Sequence, residues 1–213
     1  MINASRIDED VAWLESQLAA CPDEEISVKN ESDALAAMAI QGPNSPPLLD
    51  LMFPGPSIAE IFADRPSDLL KNELGTFLFG TSQVRVSRTG YTGEDGVEVI
   101  LGAKFARQAL GMLLKDIGAE GGVVRPAGLG ARDSLRMEAG MPLYGHELDE
   151  QTDPISAGLG FAVKLDKGEA DPQEGRFIGQ DALQRIAADG PKRKLVGLKL
   201  DGRRSPRQGM SVL

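Results

Sequence analysis

The stretch RTGYTGEDGVEV, residues 88–99, combines glycines with an aromatic ring and acidic side chains. Its glycines recur at every third position, at 90, 93 and 96. Glycine permits positive φ angles and lets a ligand approach the backbone closely. Tyr91 follows the first glycine, and Glu98 lies on the strand that the alternation after the third glycine predicts. These residue types could form a turn that binds a ligand.

The local pattern leaves two interpretations of Glu98 open. An exposed glutamate next to a hairpin turn is common, so Glu98 could be a solvated surface residue. Alternatively, its carboxylate could accept hydrogen bonds from the N–H groups of a planar ring, with Tyr91 packing nearby.

A second stretch, GLGARDSLRMEAG at residues 128–140, carries two arginines on a predicted helix. Arg132 and Arg136 are four residues apart and would share a helix face. A guanidinium group matches a carboxylate bidentately, whereas surface ion pairs such as Asp133–Arg136 are the alternative. Glycines at 128 and 130 would each cost about 1 kcal/mol within a helix, which indicates close packing or ligand approach at its start.

The remaining reactive side chains favour structural roles. His146 is the only histidine, so a metal site is not expected. Cys21 is the only cysteine and has neither a CxxC pattern nor a neighbouring base. The GxGxR run at 128–132 does not follow a strand in a βαβ unit, which argues against a nucleotide site.

Composition excludes several classes of protein. The 213 residues are 41% hydrophobic and 26% charged, as is usual for a globular protein. The net charge of −9 disfavours nucleic acid as the main ligand. Neither a secretion leader nor an apolar run long enough for a bilayer is present, and the single cysteine suits a reducing compartment. We therefore expect a cytoplasmic protein without a membrane partner.

Hydrophobic periodicity predicts the elements that position these residues. Strands are expected at 25–32, 34–43, 76–80, 83–90, 96–102, 158–168 and 192–202, and those at 76–102 should form an antiparallel meander. Helices are expected at 7–20, 45–53, 57–65, 104–118, 125–142 and 179–190. The order of strands, helix, strands and helix predicts an α+β fold with antiparallel sheets and packed helices. The sequence enters a helical pattern almost at its start, without a strand before it, and RQGMSVL at residues 207–213 ends where a strand pattern begins, so we expect the chain to be a fragment.

Seven sequence blocks together resemble the glycine cleavage system T-protein family, the aminomethyltransferases. They occur in the order typical of the family and cover nearly the whole chain: NASRIDEDVAWL, AIQGP, RTGYTGEDGVEV, GLGARDSLRMEAGMPLYGHELDE, PISAGLGFAVKLDK, FIGQDAL and RKLVGLKLDG.

The resemblance implies a T-protein-like folate-binding fold, here incomplete at both ends. Residues 1–190 would be the folate-binding α+β region, part of the N-terminal and central domains of the family. Residues 191–213 would begin the C-terminal β-barrel domain.

The implied reaction belongs to one-carbon metabolism and glycine catabolism. A transferase of this family takes the aminomethyl group on the lipoyl arm of the H-protein. It passes the one-carbon unit to tetrahydrofolate and releases ammonia. The expected partners are therefore tetrahydrofolate and the lipoylated H-protein.

The resemblance also assigns site residues. Glu98 and Arg132 match folate- or substrate-contacting positions, Tyr91 would line the same pocket, and Asn3 matches a site-lining asparagine. The catalytic aspartate of the family would lie upstream of Met1, so no catalytic residue is assigned here. We accordingly expect this chain alone to be inactive or barely active.

Two other functions have related folds. One is a non-catalytic folate-binding module, although such proteins usually carry a cysteine motif that this chain lacks. The other is the folate domain of a sarcosine- or dimethylglycine-oxidising enzyme, which would have a flavin domain upstream.

Overall fold

A computed structural model describes residues 2–21, 25–114, 124–171, 175–202 and 209–211. The chain forms two compact units, Met1–Met141 and Pro142–Leu213, which are described separately below. Within the described residues, no helix has both the length and the apolar character needed to cross a membrane.

A five-stranded antiparallel sheet forms the centre of the first unit, in the order β1-β5-β4-β3-β2. Its strands are β1 (Leu35–Gln41), β2 (Ala59–Glu60), β3 (Leu74–Phe79), β4 (Ser82–Ser87) and β5 (Gly96–Gly102). The predicted meander is thus confirmed as β3, β4 and β5, and the strand predicted at 34–43 is confirmed as β1. These pairings confirm the predicted α+β class.

Helices cover one face of this sheet. Helices α2 (Ser45–Met52) and α3 (Ala106–Met112) pack on the face that carries the apolar positions of the strands, where Phe77, Val99 and Leu101 are almost fully buried. Burying one such side chain stabilises the fold by about 1.5–3 kcal/mol. On the other face, Ala39 and Arg85 are exposed and Glu98 is half-buried. The sheet therefore presents Glu98 away from the core.

Two further helices of the first unit, α1 (Ile7–Leu18) and α4 (Leu129–Glu138), lie near the predicted positions. Helix α4 begins four residues later than predicted, and Gly128 is its N-cap rather than an interior residue. Of the helix predicted at 104–118, α3 is the central part, and residues 115–118 lie outside the described residues.

Two predictions for the first unit are wrong. Residues 25–32 form no strand: all of them are exposed, Ile26 and Val28 included, and within the described residues no strand pairs with them. Residues 57–65 are not a helix, because Ser57 N donates to Ala63 O and Ile58 N donates to Thr76 O, which ties the segment to β3. The backbone of this segment bonds across to the sheet instead of to its own next turn.

In the second unit, α5 (Gln180–Asp189) confirms the helix predicted at 179–190. The strand predicted at 158–168 is wrong, since this segment contains a 3-10 helix, Gly160–Ala162, and turns. Residues 192–202 are irregular: within the described residues no strand pairs with them, although Leu195 N donates to Ser156 O. The domain boundary predicted between residues 190 and 191 lies inside this unit and stays a prediction.

Candidate functional site

The connection between β4 and β5, residues 88–95, is held by several side-chain hydrogen bonds, and we call it the glycine loop. Its first and last residues form a bidentate ion pair, with Arg88 Nε and Nη2 donating to the Asp95 carboxylate at 3.1 and 2.7 Å. Arg88 Nη1 also donates to the backbone oxygens of Ser67 and Leu69 at 2.9 and 2.7 Å. One guanidinium group therefore closes the loop and attaches it to the neighbouring segment.

The same ion pair shifts the ionisation of both partners. Hydrogen bonding to Arg88 lowers the pKa of Asp95 below its ordinary value of 3.8, and hydrogen bonding to Asp95 raises the pKa of Arg88. A depressed carboxyl pKa means that the folded state favours the charged form. The stabilisation from Asp95 is therefore present above pH 3.8 and is lost as the pH falls through the lower value of the folded protein.

This linkage predicts the behaviour of Asp95→Asn. At pH 7 the variant should have a lower free energy of unfolding than the parent chain, and the difference should shrink as the pH falls below 3.8. Urea unfolding at a series of pH values measures it, with Glu94→Gln as the control on an exposed neighbouring acid. A difference that stays the same at all pH values would contradict the ion-pair explanation.

Glu98 occupies the middle of the open face of the sheet, paired with Ser87 on β4 and Ala39 on β1. Thr89 Oγ1 donates to Glu98 Oε2 at 2.5 Å, and Ser87 Oγ lies 2.8 Å from Thr89 Oγ1. In the described parts of the chain, Oε1 has no hydrogen-bond partner. The hydroxyl pair thus fixes one carboxylate oxygen and leaves the other available as an acceptor.

Tyr91 and Arg132 are in direct contact. The guanidinium carbon of Arg132 lies 4.6 Å from the centre of the Tyr91 ring, which is a cation–π arrangement. The Tyr91 hydroxyl donates to the backbone oxygen of Met141 at 3.3 Å, so the ring is anchored at its far end. Arg132 itself is exposed on the first turn of α4.

Arg136, in contrast, is a structural residue. It is 3% exposed, and its guanidinium group binds the Asp133 carboxylate at 2.6 Å. The Asp133–Arg136 pair, one of the two alternatives from the sequence, therefore forms. Arg132 and Arg136 therefore lie in different environments, the first exposed and the second buried.

The structure corrects the role proposed for two of the three glycines. Only Gly93 has a positive φ, +78°, and a Cβ there would lie 2.7 Å from the Ala139 Cβ of the segment that follows α4. At Gly90 and Gly96, a Cβ would collide with the side chain of Gln41. The close approach that these two glycines permit is therefore made by a side chain of the same chain.

Asn3 has a local contact. Its Oδ1 accepts hydrogen bonds from Ser5 N at 3.0 Å and Ser5 Oγ at 2.7 Å, which makes Asn3 the N-cap of the 3-10 helix Ala4–Arg6. Its assignment to a ligand site stays a prediction.

The glycine loop links the other three predicted site residues. Thr89 contacts Glu98, and Tyr91, two residues further on, contacts Arg132. The arrangement supplies an anionic acceptor, an aromatic face and a cation, which suits a planar ring that bears N–H groups and a separate anionic group.

The sequence did not point to Gln41, which bonds to the backbone of Thr89 and to the Thr92 hydroxyl of the glycine loop. Its only signal in the sequence was a polar residue at the end of an apolar strand.

Comparisons with known proteins agree on one family. Residues 1–167 match the family model of the GCVT N-terminal domain. The chain is 41% identical over 212 residues to an aminomethyltransferase of Symbiobacterium thermophilum, and 41% identical over 213 residues to one of Bacillus pumilus. Each alignment covers the whole chain but 53% of the relative, so the chain spans about half the length of these curated relatives.

A solved structure shares the fold. The crystal structure of glycine cleavage system aminomethyltransferase T from Bartonella henselae superposes with a TM-score of 0.66 and 31% identity. The match covers 90% of this chain and 46% of that one.

Proposed function

The chain belongs to the GCVT N-terminal domain family, and we propose that it is part of a tetrahydrofolate-dependent aminomethyltransferase of the glycine cleavage system. The whole enzyme would transfer the one-carbon unit from the aminomethyl-lipoyl H-protein to tetrahydrofolate and release ammonia. Because the chain spans about half of its relatives, the proposal for this chain itself is that it contributes to the folate-binding site.

The observation that carries this proposal is a Glu98 oxygen that has no hydrogen-bond partner among the described residues, on a carboxylate held by Thr89, two residues before the anchored ring of Tyr91. The pyrimidine ring of a reduced pterin is planar and carries adjacent N–H groups, and a carboxylate is the side chain that accepts two such donors. Thr89 holds Glu98 Oε2, so the carboxylate is oriented before the ligand binds. The residues present therefore fit the ligand that the family implies.

We assign each residue one role in binding. Glu98 accepts the pterin N–H groups, the Tyr91 ring packs beside the pterin, and Arg132 binds an anionic group of the ligand. Tetrahydrofolate supplies the nitrogen that accepts the one-carbon unit. No residue of this chain is assigned a catalytic role.

The partners follow from the same proposal. The donor of the aminomethyl group would be the lipoylated H-protein, and the product would enter one-carbon metabolism. We also propose a cytoplasmic location, because a reducing compartment suits the single, exposed cysteine Cys21.

Calorimetric titration of the 213-residue chain with tetrahydrofolate tests the proposal. We expect saturable binding by the parent chain and roughly three- to tenfold weaker binding by Arg132→Ala, because an exposed cationic contact contributes on the order of 1 kcal/mol. Arg107→Ala, on the exposed face of α3, is the matched control and should bind like the parent. Absence of binding by the parent chain would overturn the proposed function, and equal affinity of Arg132→Ala would remove Arg132 from the site.

A further inference from the structure

Gln41 is the last residue of β1 and lies directly opposite Gly96 on β5. Its Nε2 donates to Val97 O at 3.1 Å and to Thr89 O at 3.4 Å, and its Oε1 accepts from Thr92 Oγ1 at 3.2 Å. These contacts join positions that are 48 to 56 residues apart in sequence. A single carboxamide therefore connects β1, β5 and the glycine loop.

The contacts of Gln41 bracket Tyr91. Thr89 and Thr92 flank the Gly90-Tyr91 pair: the Thr89 backbone oxygen accepts a hydrogen bond from the Gln41 carboxamide, and Thr92 Oγ1 donates one to it. Thr89 is also the residue that donates to Glu98. Movement of the Gln41 side chain would thus move the supports of both Tyr91 and Glu98.

The space for this carboxamide depends on two glycines. A Cβ at Gly96 would lie 2.7 Å from Gln41 Cδ, and a Cβ at Gly90 would overlap Oε1 of the same side chain. Neither glycine has a positive φ, so the backbone itself would accept alanine at both positions. Their lack of a side chain is therefore explained by the room that Gln41 needs.

Few other side chains could replace Gln41. Glutamate has the same size but lacks the N–H groups that bond to the carbonyls of Val97 and Thr89. Asparagine is one methylene shorter and would not reach both sides of the space. The site demands both the length and the donor of a glutamine.

We infer that Gln41 is a positioning residue for the folate site: its carboxamide, held between Gly90 and Gly96, fixes the glycine loop so that Tyr91 and Glu98 keep their geometry. This inference rests on the proposed function for the identity of the ligand. The geometric part, that Gln41 sets the environment of Tyr91, is independent of any ligand.

The test uses the full chain labelled with fluorotyrosine. The chain contains two tyrosines, so fluorine NMR gives one signal for Tyr91 and one for the internal reference Tyr144. Gln41→Ala and Gly90→Ala should each shift the Tyr91 signal, the first by emptying the space and the second by overfilling it. The double variant should move the signal back towards that of the parent, because the added methyl group then occupies the emptied space. Gln83→Ala, which removes an exposed glutamine from the neighbouring strand β4, is the control and should shift neither signal.

Ligand binding gives the second readout. Gln41→Ala should bind tetrahydrofolate about tenfold more weakly, which corresponds to the loss of roughly one well-placed hydrogen bond, about 1.4 kcal/mol. If Gln41→Ala does not fold, Gln41→Met keeps the volume, removes the hydrogen bonds and should still shift the Tyr91 signal.

The outcomes separate the two proposals. An unshifted Tyr91 signal in a folded Gln41 variant, or a double variant that shows only the sum of the single effects, would overturn the role of Gln41. A parent chain that fails to bind tetrahydrofolate would overturn the proposed function, while the Tyr91 signals would still decide whether Gln41 positions the glycine loop.

Discussion

Replacing Glu98 by alanine is expected to weaken tetrahydrofolate binding about 10- to 100-fold. A hydrogen bond to a charged group contributes about 1.5–3 kcal/mol, and each 1.4 kcal/mol corresponds to a factor of ten in affinity. The loss should be near the upper end, because Thr89 already holds the carboxylate in place and the ligand does not have to order it. Calorimetric titration of folded parent and variant chains measures the change.

Two further variants test whether the loss of affinity comes from the contact of Glu98 itself or from the change in net charge. Glu94→Ala removes an exposed carboxylate of the same glycine loop and should leave the affinity within about twofold of the parent value, since surface substitutions usually have effects of no more than about 0.5 kcal/mol. Glu98→Gln should bind with intermediate affinity, because it keeps one acceptor and places an N–H group against the donors of the ligand. Equal losses for the Glu94 and Glu98 variants would mean that net charge, rather than a specific contact, controls binding.

The second large effect is expected in the core. Phe77 on β3 is 1% exposed, and Phe77→Ala should lower the free energy of unfolding by about 3–5 kcal/mol through lost burial and a residual cavity. Domains of this kind have a free energy of unfolding of only about 5–15 kcal/mol, so the variant would lose a large part of its stability. Urea unfolding followed by circular dichroism measures the loss.

The next residue along the same strand provides the control. Leu78 points to the opposite face of the sheet and is 43% exposed, so Leu78→Ala should cost roughly 1 kcal/mol, well below the loss for Phe77→Ala. Similar losses for the two variants would show that the sheet is covered on both faces and would contradict the one-sided packing described above.

The sheet could be predicted from sequence because its signal is local. Strands β4 and β5 alternate between buried and more exposed positions over most of their length, and glycine-containing turns separate the three strands of the meander, so the alternation and the turn residues predict the same elements. Helix α5 was equally clear, since glycines flank it at 179 and 190. Where the local sequence pattern and the tertiary packing favour the same element, the sequence is sufficient to predict it.

The wrong predictions share a different cause. Residues 25–32 and 192–202 alternate like strands, but within the described residues neither has a partner strand, and alternation alone cannot supply one. Residues 57–65 have helical composition, yet their backbone bonds across to β3. Each error arose because contacts with distant segments decide the local structure.

The site was only partly accessible from sequence for the same reason. The types of Glu98, Tyr91 and Arg132 indicated their chemistry, and the structure places Arg132 on Tyr91. The roles of Gly90 and Gly96 could not be read locally, because the side chain that fills their space comes from Gln41, some fifty residues away.

The contact between Gly93 and Ala139 limits how this sequence can drift over generations. Gly93 has a left-handed backbone, and a Cβ there would lie 2.7 Å from the Ala139 Cβ, so a side chain at position 93 would strain the backbone and collide with Ala139. Loss of the Ala139 methyl group would relieve the collision but not the backbone strain. Among descendants of this chain, position 93 should remain glycine long after the surrounding surface has diverged.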